Sequence, residues 1–331
     1  MDCLFANCEE NMTSMIDFAS NLQQACTILR EAQKSGAGLL ILSGAGLSVQ
    51  SGVPVFRMAD GSMSADFIKF LGDYNAARKK HGLDEAESWF SFSVPEMFRE
   101  ETSKEAWQYW RWRMLRALVQ PAADYQQLNK IIAAFGTERV FALTSNCDML
   151  HVSAGLPEEN VFEIHGSLGY VQCSRPCDQT LYPVDEAFLH RLRDEPDWVP
   201  LCPECNIRCL RPNVMIFDDY ALVEQRLDGQ ELRFEQFKAR YRNNHPTPAV
   251  VLEIGAGRVV SSIRRYGESL GLVERGGGGL IRINPSTIEC VQMELGSNES
   301  ESQPVSNSSK YFPLDKKANE ALFAICSELD L

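Results

Sequence analysis

The sequence predicts an α/β protein: a doubly wound parallel sheet carrying a smaller inserted lobe. Three observations lead there. Four short apolar runs alternate with helical stretches, the pattern of buried parallel strands and their crossover helices. Two of those runs open directly into Gly-Ala-Gly loops. Two long stretches, one rich in tryptophan and one in paired cysteines, interrupt the alternation.

The elements follow in order. Residues 17–34 read as an amphipathic helix, with Phe18, Leu22, Cys26 and Leu29 at helical spacing. The run Leu39-Leu40-Ile41-Leu42 is a buried strand, and Ser43-Gly44-Ala45-Gly46-Leu47-Ser48 follows it at once. Residues 60–118 read as helical and carry Trp89, Trp107, Trp110 and Trp112. Trp107, Trp110, Met114 and Leu118 fall at helical spacing, as residues that pack a small lobe do. Further strands are Val140–Leu143, Ala249–Ile254 and Leu280–Ile283, with helices near 125–135 and 258–271. Residues 296–310 form a polar loop and about 315–330 a last helix. The expected division is a Rossmann-like nucleotide-binding domain (1–57, 119–166 and 212–331), a helical insertion (58–118) and a zinc-binding module (167–211).

Composition narrows the function. The 331 residues are 44% hydrophobic and 23% charged, which excludes collagen-like and wholly disordered chains. With 32 basic against 45 acidic residues, the net charge is −13. Bulk charge therefore draws no nucleic acid, and none is expected as a direct partner. No apolar run approaches the roughly 18 residues that span a bilayer. The start of the chain lacks the basic and apolar segments of a secretory signal. No membrane partner is expected, and the localisation reads as cytoplasmic or nuclear. The oligomeric state is not legible.

Of the eleven cysteines, Cys3, Cys8, Cys26, Cys147, Cys290 and Cys326 are scattered. Cys173-x3-Cys177, then 24 residues, then Cys202-x2-Cys205 fits a four-thiolate zinc site. Four thiolates leave no open position, so the metal is expected to be structural. Cys209 is a spare that competes with Cys205; the short x2 loop favours Cys205.

Gly44-Ala45-Gly46 and Gly255-Ala256-Gly257 each follow a strand and precede a helical stretch. Such loops let backbone approach a pyrophosphate, and a following helix offers its N-terminal amides. The first has Val49 where a third glycine completes the dinucleotide fingerprint, so a plain tight turn stays open for either loop alone. The fourth strand ends at Asn284, where such folds place a ribose-binding residue.

Together these motifs resemble the sirtuin family, the NAD-dependent protein deacylases. Residues 44–57, Gly-Ala-Gly-Leu-Ser-Val-Gln-Ser-Gly-Val-Pro-Val-Phe-Arg, match the family's first motif. Thr144-Ser145-Asn146-Cys147-Asp148-Met149-Leu150-His151, ending in Ala154-Gly155, matches its second. His165-Gly166 stands just ahead of the first cysteine pair, and Leu210-Arg211-Pro212-Asn213-Val214 follows the module. The match runs in register from about 37 to 285.

The resemblance implies two cofactors, NAD and zinc, and a partner, an acylated lysine of a protein or peptide. It implies that Gly44, Ala45, Gly46 and Ser48 lie at the pyrophosphate end, with Arg57 on a phosphate and Phe56 capping the nicotinamide pocket or packing a core. Asp148 would bind the carboxamide, or cap a helix. Ser145 and Asn146 would line the nicotinamide ribose, and Gly255, Ala256, Gly257 and Asn284 the adenosine half. His165, with Asn146, would be catalytic: the acyl oxygen attacks the anomeric carbon as nicotinamide leaves, and a neutral imidazole then activates a ribose hydroxyl. Products are free lysine, nicotinamide and 2′-O-acyl-ADP-ribose. Phe217 and Asp218 would pair with substrate backbone.

Four departures from the family pattern stand out. Ser145 replaces glutamine and Cys147 isoleucine. Phe217-Asp218-Asp219 replaces Phe-Gly-Glu, and Gly255-Ala256-Gly257 replaces Gly-Thr-Ser. Trp110-x-x-Arg113 stands where sirtuins that remove acidic acyl groups carry Tyr-x-x-Arg, so Arg113 either meets an acyl carboxylate or is structural. Two other activities compete with deacylation: ADP-ribosyl transfer or NAD hydrolysis, and NAD sensing or acyl-lysine reading without efficient catalysis.

Overall fold

The computed structural model describes residues 16–55, 62–80, 84–87, 89–243, 247–273, 276–294 and 310–331. Phe56, Arg57, Cys3, Cys8 and nearly all of the polar loop at 296–310 lie outside the described residues.

The first helix, α1 (Phe18–Ser35), starts where the Asp17 carboxylate accepts from the Ser20 amide at 3.0 Å and stops at Gly36, φ +75°. Its apolar stripe buries Ala25, Cys26, Ile28 and Leu29. Strand β1 (Leu39–Ser43) follows, buried along its whole length. Side chains alternate across a strand, so Leu39 and Ile41 join one core while Leu40 and Leu42 join another on the opposite face. That two-sided burial is what an unbroken apolar run requires.

The predicted helical stretch after the first glycine loop resolves into α2 (Ala65–Lys80) and α3 (Ser103–Ala117) with short 3₁₀ turns between them. Then come α4 (Ala123–Phe135), β2 (Val140–Thr144), the one-turn α5 (Leu150–Ser153) and β3 (Val161–Glu163). The cysteine module contributes β4 (Gly166–Cys173), β5 (Leu181–Pro183), α6 (Glu186–Asp194) and β6 (Leu210–Val214). The chain returns through α7 (Gln225–Lys238), β7 (Val250–Ile254), α8 (Ser262–Gly271), β8 (Leu280–Ile283), α9 (Thr287–Val291), β9 (Tyr311–Leu314) and α10 (Ala318–Glu328).

Six strands form one sheet in the order β3-β2-β1-β7-β8-β9, every neighbour parallel. Helices α1, α4 and α10 cover one face through Leu29, Leu128, Ile131, Leu322 and Ile325. Helices α7 and α8 cover the other through Phe234, Phe237, Ile263 and Leu270. This is the doubly wound sheet the apolar runs predicted. Strands β3 and β9 extend it at its two edges.

A three-stranded antiparallel sheet, β5-β4-β6, belongs to the second lobe. Its core is shared with the tryptophan helix. Trp107, Trp110 and Met114 of α3 pack in one cluster with Cys173, Cys202, Leu210 and Val214. The Trp107 indole donates to the Leu210 carbonyl at 2.9 Å, so its one polar atom is satisfied. These side chains are core, as their spacing predicted. Among the described residues no helix is long and apolar enough to cross a membrane.

Candidate functional site

The strand order reverses between β1 and β7: from β1 the chain builds outward to β2 and β3, and from β7 outward to β8 and β9. In open α/β sheets the crevice beyond the carboxyl ends of the strands at such a point is where ligands bind. Both Gly-Ala-Gly loops leave the sheet there, one from β1 and one from β7.

The glycines first of all let the two loops touch. A Cβ on Gly44 would stand 2.7 Å from the Gly255 carbonyl oxygen, and one on Gly46 2.6 Å from the Gly255 Cα. Gly255 itself has φ +63°. The Gly44 amide donates to the Ile254 carbonyl and the Gly46 amide to the Gly255 carbonyl, each at 3.0 Å. Those two amides are spent on the neighbouring loop, which corrects the picture of a strand feeding a long helix. Gly44-Ala45-Gly46 opens instead into a single 3₁₀ turn, Ala45–Leu47, and the helix after the second loop begins only at Ser262. Gly257 faces open space. Asn284 donates to the Ala256 carbonyl at 3.2 Å, tying the end of β8 to the second loop.

The turn after β2 gathers the remaining polar groups. Both amide hydrogens of Asn146 are used, one on the Gly44 carbonyl at 2.9 Å and one on Ser48 Oγ at 3.0 Å. Any further hydrogen bond from that side chain is therefore accepted at Oδ1. Ser48 donates to Asp148 Oδ2 at 2.6 Å, and the Leu150 amide donates to Asp148 Oδ1 at 3.0 Å. Asp148 thus supports the start of α5 while sharing Ser48 with Asn146. Burial raises its carboxyl above the usual range. Tyr125, to which sequence reasoning assigns no role, stands 3.4 Å from Ser48 Oγ; it lies outside every motif.

His165 is half-buried beside this turn. Its Nδ1 donates to the Ser145 carbonyl at 3.2 Å, which leaves Nε2 as the lone-pair nitrogen. Burial holds its pKa below the ordinary value. Gly166 must be glycine: its φ is +81° and a Cβ would lie 2.3 Å from the Asn213 carbonyl oxygen.

Arg113 is half-buried on α3. Burial raises the pKa values of Tyr109, Cys147 and Asp148, with Cys147 pushed up to about 12, and the Arg113 charge opposes that at each. Its charge therefore lies within electrostatic reach of this cluster. The Phe217 amide donates to the Ser93 carbonyl at 2.8 Å. Asp218 is exposed with φ +55°. Asp219 is buried on Arg211 at 2.5 Å.

In the second lobe, the sulfurs of Cys173, Cys177, Cys202 and Cys205 lie within 4.8 Å of one another, with Cys177 and Cys202 at 3.7 Å. A tetrahedral zinc with bonds of about 2.3 Å holds its sulfurs about 3.8 Å apart, so the donor set fits. The amides of Ile207 and Arg208 point at Cys205 and bring its thiol down to about 6. Cys209 is buried, and its thiol meets the Phe98 carbonyl at 3.3 Å. The choice between Cys205 and Cys209 thus falls to Cys205.

A sequence model described as the Sir2 family matches residues 44–233. NAD-dependent deacetylase sir2E of Dictyostelium discoideum is 27% identical over 225 residues, 64% of this chain and 58% of that protein. An NAD-dependent protein deacylase of Thermus thermophilus is 30% identical over 202 residues, 60% of this chain and 64% of that protein. The chain thus spans less than two thirds of the length of these relatives. Among solved structures, a Sir2 homolog–NAD complex superposes with a TM-score of 0.59 at 23% identity, covering 91% of this chain and 93% of that one, a likeness of fold.

Proposed function

The chain belongs to the Sir2 family, and from that premise we propose that it is an NAD-dependent protein lysine deacylase acting on acylated protein or peptide lysines. One observation carries the reading. A single turn, Ser145–Asp148, holds His165 through a backbone carbonyl and presents Asn146 and Asp148 at the point where the sheet order reverses.

When bound, NAD supplies a ribosyl carbon whose nicotinamide leaves as the acyl oxygen attacks. This chain's residues do the rest. His165 Nε2 takes the proton of a ribose hydroxyl; with Nδ1 fixed on a carbonyl and a pKa held low, the imidazole is neutral and basic at pH 7. Asn146 offers Oδ1 to the nicotinamide ribose, with Ser145 beside it. Asp148 receives the carboxamide. The Gly44-Ala45-Gly46 turn gives the pyrophosphate room to approach, with Ser48 beneath it; a phosphate contact for Arg57 and a nicotinamide cover for Phe56 are what the family resemblance implies. Gly255, Ala256, Gly257 and Asn284 hold the adenosine. Phe217 and Asp218 flank the acyl-lysine backbone, and Arg113 faces the acyl end. Zinc on Cys173, Cys177, Cys202 and Cys205 organises the second lobe.

The division into an NAD-binding domain with inserted segments 58–118 and 167–211, and a cytoplasmic or nuclear site of action, belong to the same proposal. The test mixes the protein with NAD and a panel of acyl-lysine peptides and follows products by mass. Acyl-ADP-ribose is expected. Free or protein-linked ADP-ribose in its place would transfer the reading to hydrolysis or ADP-ribosylation, and no nicotinamide release would overturn it.

A further inference from the structure

Beneath the site lies a buried hydrogen-bonded chain that no proposed step uses. His151, on the one-turn α5, is 3% exposed. Its Nε2 is 2.8 Å from Ser43 Oγ. Ser43 Oγ donates to Thr144 Oγ1 at 2.8 Å, and Thr144 Oγ1 donates to the Ser43 carbonyl at 3.2 Å. Each hydroxyl carries one hydrogen. With both hydrogens placed, Ser43 can only accept from the imidazole, so Nε2 carries the proton. The opposite tautomer would give up one of these three bonds in a fully buried place, where an unmade bond is expensive.

This chain ends on the catalytic turn. The Asn146 amide donates to Thr144 Oγ1 at 3.0 Å, and the Ser145 amide donates to the Ser43 carbonyl at 3.1 Å. The Ser145 carbonyl in turn holds His165 Nδ1. The ring of Tyr125 meets His151 edge-on, centroids 5.4 Å apart, and limits its rotation. Burial lowers the His151 pKa to about 4, which agrees with a neutral ring.

We propose that His151 is a positioning residue: through Ser43 and Thr144 it sets the Ser145–Asn146 turn, and so the placement of both Asn146 and His165. The proposal rests on the deacylase reading for what the turn does, but not for what holds the turn.

The test compares His151→Leu, which removes the donor, with His151→Gln, which keeps an N–H at similar reach. Nicotinamide release is followed well below the melting temperature of either variant. The leucine variant should lose about 10- to 100-fold in kcat, as expected for a misplaced reacting group, with KM for NAD within about threefold. The glutamine variant should stay within about threefold of the parent in kcat. Parent-like turnover in the leucine variant, or an equal loss in both, overturns the proposal. Should His151→Leu fail to fold, Thr144→Val removes the central hydroxyl and should give the same kcat loss; parent-like turnover there overturns it as well. Independently of activity, ¹⁵N spectra of the parent should show His151 protonated at Nε2 and His165 at Nδ1, and a proton on His151 Nδ1 alone would refute the chain. If the parent releases no nicotinamide, the deacylase reading fails, and the spectra still decide the positioning.

Discussion

Replacing Gly255 by alanine tests whether loop-to-loop contact, and not only room for a ligand, is what the glycines provide. Gly255 sits at φ +63°, and a Cβ there would meet Gly46 Cα at 2.5 Å, the Gly46 carbonyl carbon at 2.6 Å and the Leu47 nitrogen at 2.6 Å. All three are backbone atoms, so no side chain can swing aside. The left-handed conformation costs a residue with a Cβ about 1–2 kcal/mol. Forcing extra volume into packed structure adds typically about 1–3 kcal/mol. The sum, about 2–5 kcal/mol, is a large part of the roughly 5–15 kcal/mol that stabilises a domain. In a chain of this size, with an unfolding entropy of about 0.7 kcal/mol/K, it lowers the melting temperature by about 3–7 °C. NAD binding should weaken too, because Gly46 cannot keep its place. Gly257→Ala is the matched control: nothing lies within 4 Å of its Cβ and its φ is not left-handed, so the melt should stay level or rise slightly. The assay is a pair of thermal melts with NAD titrations. Gly255→Ala and Gly257→Ala melting within a degree or two of each other would refute the reasoning.

Metal analysis should find one zinc per chain; Cys202→Ser should lose it and unfold the second lobe, because ligation and folding are coupled, while Cys209→Ala should keep both metal and activity. His165→Ala should lower turnover by roughly 10²–10⁴-fold with NAD affinity little changed, and near-normal deacylation would assign the base elsewhere. Because burial holds the His165 pKa down, the acid limb of kcat/KM should lie below the ordinary histidine value of about 6.5. On the proposal that Arg113 faces the acyl end, succinyl- or glutaryl-lysine should be preferred to acetyl-lysine, and Arg113→Met should reverse the order; a parent that prefers acetyl or long apolar acyl groups makes Arg113 structural. The His151 imidazole protonates near 6.5 when unfolded and at about 4 when folded. The unfolded state therefore binds more protons between those values, and stability is lost as pH falls through that window. Relative to His151→Gln, the parent should lose about 3 kcal/mol of unfolding free energy between pH 7 and 4; parallel profiles would show that the buried ring titrates normally.

Much of the frame was legible because it is written in contiguous apolar residues. Leu39–Leu42, Val140–Leu143, Ala249–Ile254 and Leu280–Ile283 are strands within a residue or two of their reading. Strands β3 and β9 were not legible. They are three and four residues long at the sheet edges, too short for periodicity, and Pro313 within β9 speaks against a strand unless it is at an edge. Helix α7 left a signal in Leu227, Phe234 and Phe237, which all bury. The four zinc-type cysteines were legible because ligand spacing is local. The nearness of the Arg113 charge to Cys147 and Asp148 was not, since it depends on how distant parts of the chain come together.

The departures from the family pattern weigh differently once backbone and side chain are separated. At Ser145, what holds His165 is the carbonyl, which any residue supplies. The lost glutamine therefore leaves the His165 contact in place, and on the proposed function its effect belongs to the ribose and not to proton transfer. At 218 a glycine is replaced in a left-handed position, φ +55°. Aspartate is among the few side chains that enter this region readily, so the turn survives the change. The following Asp219 is buried on Arg211, which anchors the same turn to β6. The substitution thus adds an exposed carboxylate to this turn, where the proposed function expects substrate backbone. Gly257 faces open space where the family carries a serine, which costs a hydroxyl and no packing. In each case the backbone contact or turn described here stands without the family's side chain, and on the proposed function the change falls where substrate or cofactor is expected. Altered substrate choice, with the NAD-binding frame retained, is therefore the expected consequence of these departures.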